Sequence, residues 1–75
     1  MNDSYRTTDI GLAAYLVTLG FELEIDYNVR EQAHFVFEPE ARKIAESYWT
    51  PGARVNPRVF ANNLRDIKSR LIELK

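Results

Sequence analysis

The final twenty residues, NPRVFANNLRDIKSRLIELK, restrict the fold more than any other stretch of this chain. Phe60, Leu64, Ile67, Leu71 and Leu74 recur at alternating spacings of four and three. That pattern puts all five on one face of a helix, and the face needs an apolar surface to cover it. Asn56 reads as the N-cap, its side chain accepting from an orphan amide. Pro57 reads as the first helical residue, with φ preset and no N–H to leave unpaired. The rest of the chain must therefore supply a partner for this stripe.

The back of the same helix has a different chemistry. Arg58, Arg65, Lys68 and Lys75 fall in one sector away from the stripe, and Ile72 projects among them. Arg70 has Asp66 four residues before it, whereas Arg65 and Lys68 have no acid three or four positions away. Two readings follow: a solvated face with one stray Ile, or a footprint for an acidic partner. Net charge is −1, but it is unevenly divided. Residues 1–50 hold four basic groups against nine acidic ones, while residues 51–75 hold six against two. Such a split either builds an electropositive patch on an acidic protein or closes internally when the halves pack.

At 75 residues the chain makes one domain, spanning 1–75, near the size at which a single core becomes marginal. A hydrophobic content of 45% is ample for a packed interior, which argues against disorder. The absence of Cys excludes disulfides, thiolate zinc sites and thiol catalysis. Met1 runs directly into polar residues, so no signal peptide is expected. The uncharged run Ile10–Phe21 is too short to span a bilayer, and a cytoplasmic protein without membrane contact is expected.

Residues 1–6 are expected to be frayed, although Tyr5 could tuck in. Thr7, Thr8 and Asp9 are candidate N-caps for a helix over Ile10–Leu19, ended by Gly20. That segment has no charge and is apolar nearly all round, the composition of a helix covered on most sides. It predicts either a central position in the fold or a homodimer contact, which would relieve a shortage of core. Residues 21–27 alternate apolar and acidic strictly, the period of a half-buried strand. Polar residues 28–32 separate it from a second strand, Ala33–Phe37. An antiparallel hairpin results, with Leu23, Ile25, Phe35 and Phe37 facing inward and Glu22, Glu24 and Asp26 outward.

Glu38-Pro39-Glu40 opens another helix, with Pro39 as its first residue, and Thr50-Pro51-Gly52 stops it. Its expected buried stripe is Ala41, Ile44, Ala45, Tyr48 and Trp49. Ala53-Arg54-Val55 is a connector that could add a third strand to the hairpin edge. The predicted class is α+β, order α-β-β-α-(short β)-α, with an antiparallel hairpin covered on one face by helices.

Catalytic and metal chemistry find little footing. His34 is the only histidine and projects opposite Phe35 and Phe37; one imidazole beside exposed carboxylates poorly specifies a transition metal. Glu22 and Glu24 recur by strand alternation rather than in a cleft that would tune an acid–base pair. The serines have no nearby base, and three isolated glycines make no phosphate-cradling loop. No enzyme, metal or cofactor is expected. Tyr48 and Trp49 could form a stacking platform with Arg54 and Arg58, but burial preference favours the core and its rim. Asn63 borders the stripe and is suited to bonding a neighbouring backbone group. Asn62 sits on the outer side near Arg58 and Asp66.

Several stretches, taken together, resemble a known family. They are Thr8-Asp9-Ile10 leading into Leu12-Ala13-Ala14-Tyr15-Leu16, then Phe35-Val36-Phe37-Glu38 and Val55-Asn56-Pro57-Arg58. The run Phe60-Ala61-Asn62-Asn63-Leu64-Arg65 and the ending Lys68-Ser69-Arg70-Leu71 complete the pattern. The whole resembles a family of short bacterial and phage-borne proteins catalogued as a domain of unknown function. The resemblance covers most of residues 5–72. It implies a stand-alone domain often encoded near mobile elements and assigns no activity, cofactor or catalytic residue.

What remains are two binding readings. The first is a protein-interaction or adaptor module, either homodimeric or docked on another protein. It is motivated by the apolar helix and by Ile72 among cations. The alternative is accessory nucleic-acid binding by the basic face, where contacts to phosphate would be salt-dependent. The acidic pI of about 5.7 counts against it. The candidate binding face in both is Arg54, Arg58, Arg65, Lys68, Ile72 and Lys75.

Overall fold

Residues 3–27, 32–50 and 54–73 are described by the computed structural model of the chain. In chain order they form β1 (Tyr5–Thr7), α1 (Ile10–Thr18), β2 (Glu24–Tyr27), β3 (Ala33–Phe37), α2 (Ala41–Tyr48) and α3 (Pro57–Glu73). Helices packed on one face of a small antiparallel sheet give an α+β fold, as the sequence patterns predict.

The charge-free helix lies at the centre. Asp9 is its N-cap: the carboxylate accepts from the Leu12 amide at 3.1 Å, and Thr7 Oγ1 accepts from the Asp9 amide at 3.1 Å. At the other end the Phe21 amide donates to the Leu16 carbonyl and the Gly20 amide to the Val17 carbonyl. These are the paired bonds of a Schellman stop, with Gly20 at φ 103° taking the left-handed position. Leu12, Ala13, Ala14, Tyr15 and Leu16 are all buried within the single chain. Of the two explanations for an all-round apolar helix, a central position is therefore the one the fold adopts.

Phe35 and Phe37 on β3 are buried, with Ile25 paired opposite Phe35 and Tyr5 opposite Phe37 on the same inward face. β2 covers only the second half of the alternating stretch, and Leu23 packs on the core from just outside it. The sheet order is β1-β3-β2, so β3 is central. The third strand comes from Tyr5–Thr7 rather than from the connector before α3. Arg54 and Val55 lie in no strand, and Ala53 falls outside the described residues. Tyr5 does tuck in against the core, and Arg6, expected to fray, is held beside it in this strand by pairing with Val36. On the outer face Arg6 reaches across β3 and pairs with Asp26 on β2, two half-exposed groups that tie all three strands.

α2 begins at Ala41, two residues later than predicted, because tight bonds from Ala41 to Glu38 and from Arg42 to Pro39 make the entry a turn. Its buried strip is narrower than predicted. Ala41 and Ala45 are buried and Tyr48 half-buried, whereas Ile44 and Trp49 are exposed. The two alanines let α2 sit close to α1, and residues at the stripe's edges then have nothing above them.

On α3 the predicted N-cap is in place, Asn56 Oδ1 accepting from the amides of Arg58 at 2.9 Å and Val59 at 3.1 Å. Ile67 is buried, and Phe60, Leu64 and Leu71 pack against the core at the edges of the stripe. Leu74 lies outside the described residues. Asn63 donates to Thr18 Oγ1 at 3.0 Å, and that hydroxyl donates to the Ala14 carbonyl at 2.7 Å. The partner is thus a side chain rather than the expected backbone group, and it fixes the α1–α3 register.

Two isoleucines on α3 separate core from surface. Ile67→Ala is expected to cost roughly 2–4 kcal/mol by leaving a cavity. Ile72→Ala, at a 73% exposed position, should stay within about 0.5 kcal/mol. Urea unfolding of both variants checks the contrast.

Candidate interaction surface

Helical projection sets Arg58, Ala61, Asn62, Arg65, Lys68, Ser69 and Ile72 on the side of α3 away from the core, and all seven are exposed. Among the described residues the ion pair is Arg6–Asp26, and none involves Arg58, Arg65 or Lys68. The acidic residues of β2 and its approach do not close onto α3. Glu22 and Glu24 are exposed without ion pairs among the described residues, and Asp26 is engaged by Arg6. Asp66 and Arg70, spaced for a helical pair, form none. The charge asymmetry thus stays open on the surface. Ile72 stands in this cationic face at 73% exposure. Arg54 is exposed just before α3, and Lys75 lies outside the described residues.

A second feature adjoins this face. Tyr15, Tyr48, Val55, Pro57 and Phe60 line a groove of about 710 Å³ between the end of α2 and the start of α3, with Arg54 on its wall. Tyr15 and Tyr48 rings are 5.1 Å apart at 55°, and Tyr48 meets Trp49 edge-on at 4.8 Å and 80°. Trp49, expected at the core rim, is 65% exposed and continues this row into solvent. Gly11 makes the arrangement fit. A Cβ at that position would lie 2.8 Å from the Tyr48 hydroxyl, so a larger residue there would require the hydroxyl end of Tyr48 to shift. Ser47 Oγ donates to the Ile44 carbonyl at 2.7 Å and is 2.6 Å from the Tyr15 hydroxyl, so its hydroxyl has a structural role.

His34 sits on the outer sheet face opposite Asp26. No cluster of three or more His, Cys, Asp or Glu with metal-binding spacing occurs among the described residues. Among them, too, no helix is long and apolar enough to cross a membrane.

Residues 2–73 match the family described as Domain of unknown function (DUF5659). The chain belongs to this family. Neither the curated proteins nor the solved structures yield a match to the chain. Membership in DUF5659 covers nearly the whole chain and assigns no residue a role, so the surface must be read from its own chemistry.

The exposure of the single tryptophan is directly measurable. Trp49 emission is expected to be red-shifted and readily quenched by acrylamide in the folded protein. A blue-shifted, protected signal would place the ring in the core instead.

Proposed function

We propose that the protein is a non-catalytic interaction module that docks a partner protein on the outer face of α3. Arg58, Arg65 and Lys68 would meet acidic groups while Ile72 fills an apolar contact. The observation that carries this reading is the set of three cations without ion pairs among the described residues, followed one turn beyond Lys68 by an isoleucine at 73% exposure. Like charges held together repel one another, and exposed Ile forgoes burial. A partner with an apolar centre and acidic rim recovers both. The non-catalytic part of the reading draws on the lack of a paired nucleophile and base in the sequence, and on the engagement of Ser47 in packing.

A homodimer is one form of this reading. Glu22, Glu24 and Glu38 line a separate, acidic depression elsewhere on the chain and offer a second copy complementary charge. Such a contact joins two different patches, so it closes as a symmetric pair where each copy's basic face meets the other's acidic depression across a two-fold axis. A second reading, accessory nucleic-acid binding, is favoured by the exposed Trp49, since bases stack on such rings, and by the cations of α3. The acidic pI of about 5.7 weighs against it.

Capture from the native host with the immobilised protein tests both readings. A polypeptide held by the wild type is expected to be retained about tenfold less by Arg65→Glu/Lys68→Glu, and less by Ile72→Asp. Unchanged far-UV circular dichroism would certify the variants as folded. Equal retention by all three proteins removes the α3 reading. Retention abolished by nuclease transfers support to nucleic acid, and light scattering over a dilution series reads self-association.

A further inference from the structure

β2 is an outer strand of the sheet, with β3 as its neighbour in the order β1-β3-β2. Along such an edge every second residue turns its N–H and C=O away from the sheet. Among the described residues, no backbone bond beyond the β2–β3 ladder involves residues 22–27, so that edge is open. The two sides of the edge differ in chemistry. On the outer side Glu22 and Glu24, with Glu38, line a depression of about 400 Å³. On the helix side, half-buried Val17, Phe21 and Leu23 line a groove of about 540 Å³ over buried Ile67, with Asp66 and Arg70 on the α3 rim. Glu22 and Leu23 belong to both hollows, which therefore flank one stretch of chain. Glu22 and Glu24 have no ion pairs among the described residues. Asp26, next in the row, is held by Arg6 from β1.

We propose that the open edge of β2 binds an extended segment of a partner protein as a fourth strand, one in which lysine or arginine alternates with apolar residues. The inference goes beyond docking on the outer face of α3 and uses none of that face's cations. An added strand bonds through its main chain, and its side chains fall alternately on the two sides of the sheet. Here the two sides ask for different residues. Those on the helix side meet Phe21 and Leu23 and bury apolar surface in the groove. Those on the outer side come beside Glu22 and Glu24, and opposite charges on neighbouring strands attract. The Arg6–Asp26 pair is the same contact made within the chain, a cation carried across the outer face to this acidic row. The row also selects against other occupants. A second copy adding its own β2 would set acid beside acid, and β1, its other outer strand, has its single cation committed to Asp26. A nucleic-acid strand would bring phosphates against carboxylates.

The test uses the full chain and fluorescently labelled peptides of about eight residues, within the usual range of strand lengths. One alternates lysine with valine, and a second has glutamate in place of lysine. Two more keep the lysine–valine sequence but are N-methylated, one on the lysine amides and the other on the valine amides. Fluorescence polarisation is expected to show saturable binding of the lysine peptide and about tenfold weaker binding of the glutamate peptide. Of the methylated pair, one is expected to bind like the parent and the other to lose binding, because a single set of amides faces β2. Glu22→Lys/Glu24→Lys, at two exposed positions, is expected to weaken binding of the lysine peptide about tenfold with far-UV circular dichroism unchanged. Arg65→Glu/Lys68→Glu is expected to leave peptide binding unchanged. The proposal is overturned by the absence of saturable binding, by equal affinity for the lysine and glutamate peptides, or by methylated peptides that behave alike. A charge-reversed β2 variant that binds as the wild type does would overturn it too. Such a failure leaves partner docking on α3 standing, since that reading is decided by retention of a host polypeptide on Arg65→Glu/Lys68→Glu.

Discussion

The packing of α3 on α1 is the interaction on which the rest of this small fold depends. α1 has no charge along its length and could not remain folded in water on its own. α3 has a single apolar stripe and equally needs a cover. Each supplies what the other lacks, and Ile67 with the half-buried Phe60, Leu64 and Leu71 closes over the buried run from Leu12 to Leu16. The Asn63–Thr18–Ala14 chain of hydrogen bonds adds direction to an otherwise non-directional contact. The sheet and α2 then complete the enclosure of α1.

From that arrangement the surface chemistry follows. Because the stripe fixes the rotation of α3 about its axis, the face bearing Arg58, Arg65 and Lys68 has to point outward. The acidic side chains near β2 cannot be brought to it without turning the stripe out of the core. The same enclosure places the end of α2 beside the start of α3, and the aromatic groove forms where the two meet. Neither surface is an independent addition to the fold; both are geometric results of how its core is closed.

Most of the architecture was legible in the sequence because strong periodicity survives tertiary context. The 3.6-residue stripe of α3, the alternation through β2 and β3, and the Gly20 stop of α1 all lie where the pattern puts them. The exposure of the α3 cations was legible for the same reason. β1 was not, since Tyr5-Arg6-Thr7 is too short to show a period and is a strand only because β3 offers it an edge. Trp49 was misjudged because burial preference concerns the residue type, whereas its exposure is decided by how closely Ala41 and Ala45 bring α2 to α1. Of the groove, the sequence suggested only that Tyr48 and Arg54 could come together. Its walls come from separate segments that only the folded chain assembles, although Gly11 inside an otherwise bulky apolar helix marks the close approach of Tyr48.

The third strand has a kinetic consequence. β1 begins the described chain yet pairs with β3, on the far side of α1 and β2, and the Asn63–Thr18 bond joins residues 45 positions apart. Such pairings require large loops to close before their contacts form, which raises the contact order above that of a simple helical bundle. The chain would then fold on the slower timescale of mixed α/β domains despite its small size. Its first strand would be among the last parts to settle, added to an edge that α1 and the hairpin must already have built.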